Sequence, residues 1–126
     1  PVPSLRGYDE ARQFGETVLV SVPENCLVTG DWYEMIVLFY LRYAEERRTD
    51  ISLEIGYAEH FDRIRRWASR PGPDPRPVVF LEPMPGLTGR FAPCDTMRLA
   101  GGRCLLLSDG SPRIIPSRRS GGTIGR

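Results

Sequence analysis

Lysine is absent from this chain, and all 17 basic residues are arginine. That absence excludes Schiff-base catalysis and any phosphate-binding loop built on a lysine. Side-chain amides are almost missing too, with Gln13 and Asn25 alone. Arginine for lysine together with so few amides reads as a mark of GC-rich coding. His60 is the single histidine, so imidazole chemistry has one place to occur. Three cysteines, Cys26, Cys94 and Cys104, form an odd set without metal-ligand spacing, and they read as small buried hydrophobes. A tight turn over 100–103 sets Cys104 opposite Leu99 and Cys94 opposite Asp109, so those two do not face one another. No long hydrophobic run occurs: the longest, around Ile36 to Leu41, falls far short of the ~20 residues of a membrane span. No stretch reads as a signal peptide. The chain begins at Pro1 and not at methionine, so it is expected to be a piece of a longer protein. Charge of one sign is lacking as well. A net charge of +1 supplies no global field for nucleic acid or an anionic membrane.

What is present is organised around Asn25 to Asp50. A short apolar run, Cys26-Leu27-Val28, breaks at Thr29-Gly30-Asp31 and continues as an apolar segment from Trp32 to Ala44. This reads as strand, turn, helix. Asp31 is placed to cap the helix, and Glu34 three residues on completes a capping-box spacing. Arg47 and Arg48 suit the negative end of that helix's dipole. Between its ends the helix carries only Glu34 and Arg42 as charges, which predicts that it is covered on most of its faces.

The rest follows by periodicity. Tyr8 to Val22 has helical spacing and stops at Pro23, although Thr17 to Val22 is β-branched enough to allow a strand instead. Asp50 to Gly56 alternates as a second strand, and Ala58 to Arg70 is an amphipathic helix with Phe61, Ile64, Trp67 and Ala68 inward. Pro71 to Pro77 is a surface connector. Val78 to Leu81 is a third strand, apolar throughout as a strand buried on both faces should be. Glu82 to Pro93 reads as an irregular loop. Thr96–Leu99 and Cys104–Leu107 flank Gly101-Gly102 as a hairpin. Two strand–helix–strand units in series predict a three-layer, Rossmann-like α/β sandwich. Its core is a parallel three-stranded sheet, extended by the C-terminal hairpin and accompanied by three helices. Residues 8–109 form the single domain, 1–7 a lead-in and 110–126 a tail or linker remnant.

In such a sheet, ligands bind beyond the carboxyl ends of the strands. Those ends bring Asp31, Trp32, Tyr33, Tyr57, His60 and Glu82 to one rim. Two readings stand. In one, the rim is a shallow crevice whose aromatic faces suit a sugar or an apolar tail; in the other, Asp31 only caps, the aromatics pack, and His60 and Glu82 are solvated. No Gly-x-Ser-x-Gly elbow accompanies His60, so a hydrolytic triad is not expected. Glu59, His60 and Asp62 do not share a helix face, so no metal site is expected there and no cofactor anywhere. The arginine face of Arg63, Arg65, Arg66, Arg70 and Arg76 is interrupted by Glu59, Asp62 and Asp74, and it reads as solvated, with no nucleic-acid partner.

The runs Val22-Pro23-Glu24-Asn25-Cys26-Leu27-Val28-Thr29-Gly30-Asp31-Trp32, Tyr40-Leu41-Arg42-Tyr43, Arg48-Thr49-Asp50-Ile51 and Arg76-Pro77-Val78-Val79-Phe80 carry a resemblance. They are similar to the soluble C-terminal domain of bacterial multi-span proteins of the protein O-mannosyltransferase-like family, grouped with the GT-C glycosyltransferases and of unknown function. The likeness spans Tyr8 to Leu107, with Cys26 where that pattern has alanine and Phe80 where it has tyrosine. It implies a domain on the extracytoplasmic face of the bacterial cytoplasmic membrane. Its partner would be the membrane domain of the same polypeptide, and its ligand classes a lipid-linked sugar or an acceptor. No residue matches the catalytic loop of such enzymes, so none is carried over as catalytic. The implied role is a non-catalytic accessory or acceptor-recognition domain. The alternatives are a stand-alone small-molecule-binding or enzymatic domain using the rim, and oligomerisation through a sheet edge.

Overall fold

The computed structural model describes residues 5–69, 76–84, 86–92 and 95–113, with residues 5–8 as backbone only. Cys94, Arg70, most of the Pro71–Pro77 connector and the tail beyond 113 lie outside the described residues. Three helices and a five-stranded open sheet make a mixed α/β fold. Helix α1 runs Leu5–Ser21, starting earlier than Tyr8. Its last turns stay helical although β-branched, and within them the Thr17 and Ser21 hydroxyls donate to the carbonyls of Gln13 and Thr17, four residues back. Strand β1, Leu27–Gly30, is wholly buried. Helix α2, Trp32–Phe39, continues into a single π turn over Tyr40–Ala44, closed by the Glu45 N–H on Tyr40 O at 3.2 Å. Strand β2 is Ser52–Ile55. A 3-10 turn over Ala58–His60 opens helix α3, Phe61–Ala68, which buries Phe61 and Ile64 and exposes Asp62, Arg63, Arg65 and Arg66. Strand β3, Val78–Phe80, is buried at every residue. Strands β4, Asp95–Arg98, and β5, Cys104–Ser108, follow.

The sheet order is β2-β1-β3-β5-β4. Strand β1 pairs in parallel with β2, Val28 opposite Leu53, and with β3, Val28 opposite Val79. Strand β5 runs antiparallel to β3, with Phe80 opposite Leu106, and β4 pairs antiparallel with β5. Period-2 alternation then sorts the apolar residues into two clusters. Val28, Leu53, Val79 and Leu105 pack with Val18 and Leu19 of α1 and with Met35 and Leu38 of α2. Leu27, Val78 and Phe80 pack with Phe61 and Ile64 of α3 and with Met84, Leu87 and Phe91.

Several expectations need correction. Helix α2 is covered on one face only: Met35, Leu38 and Leu41 are fully buried, while Trp32, Tyr33, Ile36, Tyr40 and Tyr43 are exposed. The segment after β3 is no loose loop, since Leu87 and Phe91 are buried and a 3-10 turn forms over Thr88–Arg90. The hairpin loop is one residue longer than a tight turn. Arg98, not Leu99, stands opposite Cys104, and Leu99 N–H instead closes the loop on Arg103 O. Gly101 and Gly102 take φ of 98° and 96°, which suits glycine, and Leu99 drops into the core. Cys104 is consequently exposed, whereas Cys26 is fully buried with its thiol pushed up to about 12 by desolvation.

Arg48 does not serve the end of α2. Its guanidinium donates to the carbonyls of Leu19, Val22 and Pro23, capping α1 instead, and holds Asp50 at 3.0 Å. Asp50 in turn accepts the Asn25 N–H at 2.8 Å, tying the end of α1 to the start of β1. The Arg48 hydrogen bond brings the Asp50 carboxyl down from 3.8 to about 2. A carboxyl lowered on folding stabilises the native state above its unfolded value and loses that contribution as pH falls through the folded value. Acid titration followed by carboxyl NMR is therefore expected to place the Asp50 midpoint near 2. An Asp50→Asn variant is expected to lose the fall in stability between about pH 4 and 2 that this carboxyl causes.

Candidate functional site

The parallel strands end where β5 begins, and this geometry builds the rim. Strand β1 finishes at Gly30, where a Cβ would stand 2.7 Å from the Leu81 side chain, so glycine is what lets β1 and the exit of β3 close together. Asp31 follows as the N-cap of α2 and accepts the Glu34 N–H at 3.0 Å, as the capping spacing predicts. The reciprocal half of a capping box is not made. Glu34 turns its carboxylate to the Arg103 guanidinium at 2.5 Å.

Arg103 arrives through strand register. Phe80 pairs with Leu106 in antiparallel sense, so the residues just before β5 lie beside those just after β3. Arg103 donates to Leu81 O at 3.1 Å, lies 3.3 Å from Glu82 Oε1, and stacks its guanidinium 4.4 Å from the centre of the Phe14 ring. The carboxylates of Asp31, Glu34 and Glu82 thus gather within 4.8 Å of one another. Oxygen donors of this kind suit a hard cation, but here Arg103 supplies the positive charge among them. Glu34 is only 17% exposed and its Oε1 has no partner among the described residues. Burial pushes its carboxyl up, and the Arg103 hydrogen bond opposes that rise.

The six rim residues divide into three groups. Asp31 and Glu82 join the carboxylate cluster. Trp32 and Tyr33, at 52% and 81% exposure, project outward from the first turn of α2. Tyr57 and His60 meet edge-to-face with ring centroids 5.3 Å apart. His60 Nδ1 lies 2.8 Å from Ile55 O, an acceptor only, so the proton resides on Nδ1. The neighbouring carboxylate is Glu54, at 3.6 Å, rather than Glu59 or Asp62. Glu54 also holds Arg63 at 2.7 Å. An apolar cavity of about 440 Å³ is lined by Phe80, Phe91, Leu106, Asp95 and Arg113 among others, and by none of the six rim residues.

Two participants escape a reading by sequence. Glu34 is legible as a capping residue, but its carboxylate belongs to the cluster. Arg103 sits after a Gly-Gly turn and becomes visible only once β5 is paired with β3 and not placed at the sheet's edge. Among the described residues no helix is long and apolar enough to cross a membrane. Family models, curated proteins and solved structures yield no match to this chain.

Proposed function

We propose that this chain is a non-catalytic recognition domain, the accessory or acceptor-recognising part of a membrane-bound, glycosyltransferase-like bacterial protein. It would work on the extracytoplasmic face beside the membrane domain of the same polypeptide. The resemblance carried by the Gly30-Asp31-Trp32 run and the Arg76-Pro77-Val78 run supports that parentage. On this reading the fold is a three-layer, Rossmann-like sandwich, the β2-β1-β3 strands being its parallel core and the hairpin an extension. The carboxyl rim is then the place for a ligand.

The observation that carries recognition is the juxtaposition at the start of α2. Two exposed aromatics, Trp32 and Tyr33, directly follow Asp31, whose carboxylate clusters with those of Glu34 and Glu82. A sugar offers an apolar ring face for stacking and hydroxyl donors for carboxylate oxygens, and the rim offers the complement of both. Chemistry is a poorer match. Cys26 is buried with its thiol pushed up to about 12, so it is not an activated nucleophile.

The test is a tryptophan-fluorescence titration with polyprenyl-phosphate sugars, free sugars and short acceptor peptides, run on the wild type and on Trp32→Phe. Saturable change in one ligand class, lost in Trp32→Phe while Trp67 still reports a folded domain, is the expected result. Glycosyl transfer catalysed by the isolated chain, or flat titrations throughout, would contradict the proposal.

A further inference from the structure

From the rim residues Trp32 and Tyr33 onward, α2 and its π turn present a surface with no cover among the described residues. Of the seven large hydrophobic side chains exposed among the described residues, five lie on this helix and its π turn: Trp32, Tyr33, Ile36, Tyr40 and Tyr43. They recur at helical spacing on the face away from Met35, Leu38 and Leu41, and form one stripe. Phe39 stacks on Tyr43 at 5.9 Å, fixing that ring in place.

Both charges in the span of the stripe have partners within the chain. Glu34 turns to Arg103, and Arg42 donates to the carbonyls of Ile51 and Thr49 while backing the Tyr43 ring. What the stripe presents outward is mainly apolar and aromatic. Such a face suits apposition with itself, since about a two-fold axis each residue of the stripe meets a fixed counterpart in the stripe of the other copy, apolar side chain against apolar side chain.

Area points the same way. Aromatic side chains carry about 150–250 Å² each. With exposures of 52%, 81%, 44%, 50% and 57%, the five residues leave roughly 500 Å² of apolar surface. A standard interface covers about 800 Å² per partner. In homodimers about 65% of that is apolar, again roughly 500 Å². We infer that the α2 face is the core of a symmetric homodimer, in which two copies of this chain pack their α2 helices against each other. In that arrangement Ile36 of one copy meets the Tyr40 region of its partner, with Trp32 and Tyr43 at the ends of the seam, so dimerisation and ligand stacking on Trp32 and Tyr33 exclude one another.

The experiment is sedimentation equilibrium of the full chain across micromolar to millimolar concentrations, in wild type and in two charge-bearing variants, Ile36→Arg/Tyr40→Arg and Ile36→Glu/Tyr40→Glu. These side chains are exposed, so the fold survives, and circular dichroism checks that it does. The wild type is expected to dimerise, and each variant to weaken the dimer at least about 30-fold, as loss of a central interface residue does. Mixing the two variants is expected to restore a heterodimer, because opposite charges then meet across the axis. A wild type that stays monomeric throughout would overturn the inference. So would a dimer indifferent to both variants, or a monomer that instead partitions onto neutral phosphatidylcholine vesicles.

Discussion

Replacing Phe91 by alanine is expected to cost about 4 kcal/mol of folding stability, the range for a fully buried Phe. The side chain is 1% exposed and packs between Phe61, 4.9 Å away, and Phe80, 5.5 Å away. Arg90 from the same segment lays its guanidinium 3.8 Å over Phe61. Residues after β3 thus complete the cluster that α3 alone cannot fill, with Leu87 at 0% exposure beside Phe91. Chemical denaturation reads the change, which is large against the 5–15 kcal/mol typical of a domain. Tyr43→Ala, on the exposed face of α2, is the contrast, expected to stay within about 0.5 kcal/mol. Equal costs for the two would mean that the segment after β3 does not hold the core.

Arg103→Ala is the second large effect. It leaves three carboxylates within 4.8 Å of one another without their cation. Pairs that are buried cost 3–5 kcal/mol when broken and exposed ones about 0–1. Glu34 is 17% exposed but Arg103 is 38% exposed, so solvent screening brings the expectation to about 2 kcal/mol at neutral pH. The pH dependence follows from Glu34. Its folded carboxyl already lies above the ordinary 4.5, so its contribution is present below that value and is lost as pH rises through the folded one. Removing Arg103 takes away the interaction that holds this carboxyl down, so the folded value climbs and the loss deepens at higher pH. The gap between Arg103→Ala and wild type is expected to be small near pH 3 and to widen towards pH 7. Adding Glu34→Gln is expected to narrow it. A gap constant with pH would show that Arg103 acts through packing on Phe14 alone.

Both effects rest on features that local sequence conceals to different degrees. Asp31 as a cap was legible because its partner, the Glu34 N–H, is three residues away. The alternation of helices and strands was legible because each has its own period. Arg103 was not, since its place depends on β5 inserting beside β3, a pairing between segments more than twenty residues apart. Phe91 was hidden differently, because the prolines and glycines around it describe an irregular path without revealing which side chains turn inward. Helix α2 misled in the opposite direction. Tyrosine and tryptophan count as apolar in a pattern, yet their hydroxyl and indole N–H groups tolerate water, so the run predicted cover that α2 does not have.

The central claim is that the rim opening on Asp31 is a recognition surface. The most direct measurement is a two-dimensional amide NMR titration of the ¹⁵N-labelled chain with polyprenyl-phosphate sugars, free sugars and short acceptor peptides in turn. The account predicts saturable shifts in one ligand class at Asp31, Trp32, Tyr33, Glu34, Glu82 and Arg103, leaving α3 unmoved. Saturable shifts confined to the cavity by Phe91 and Leu106, or no shifts in any class, would contradict it.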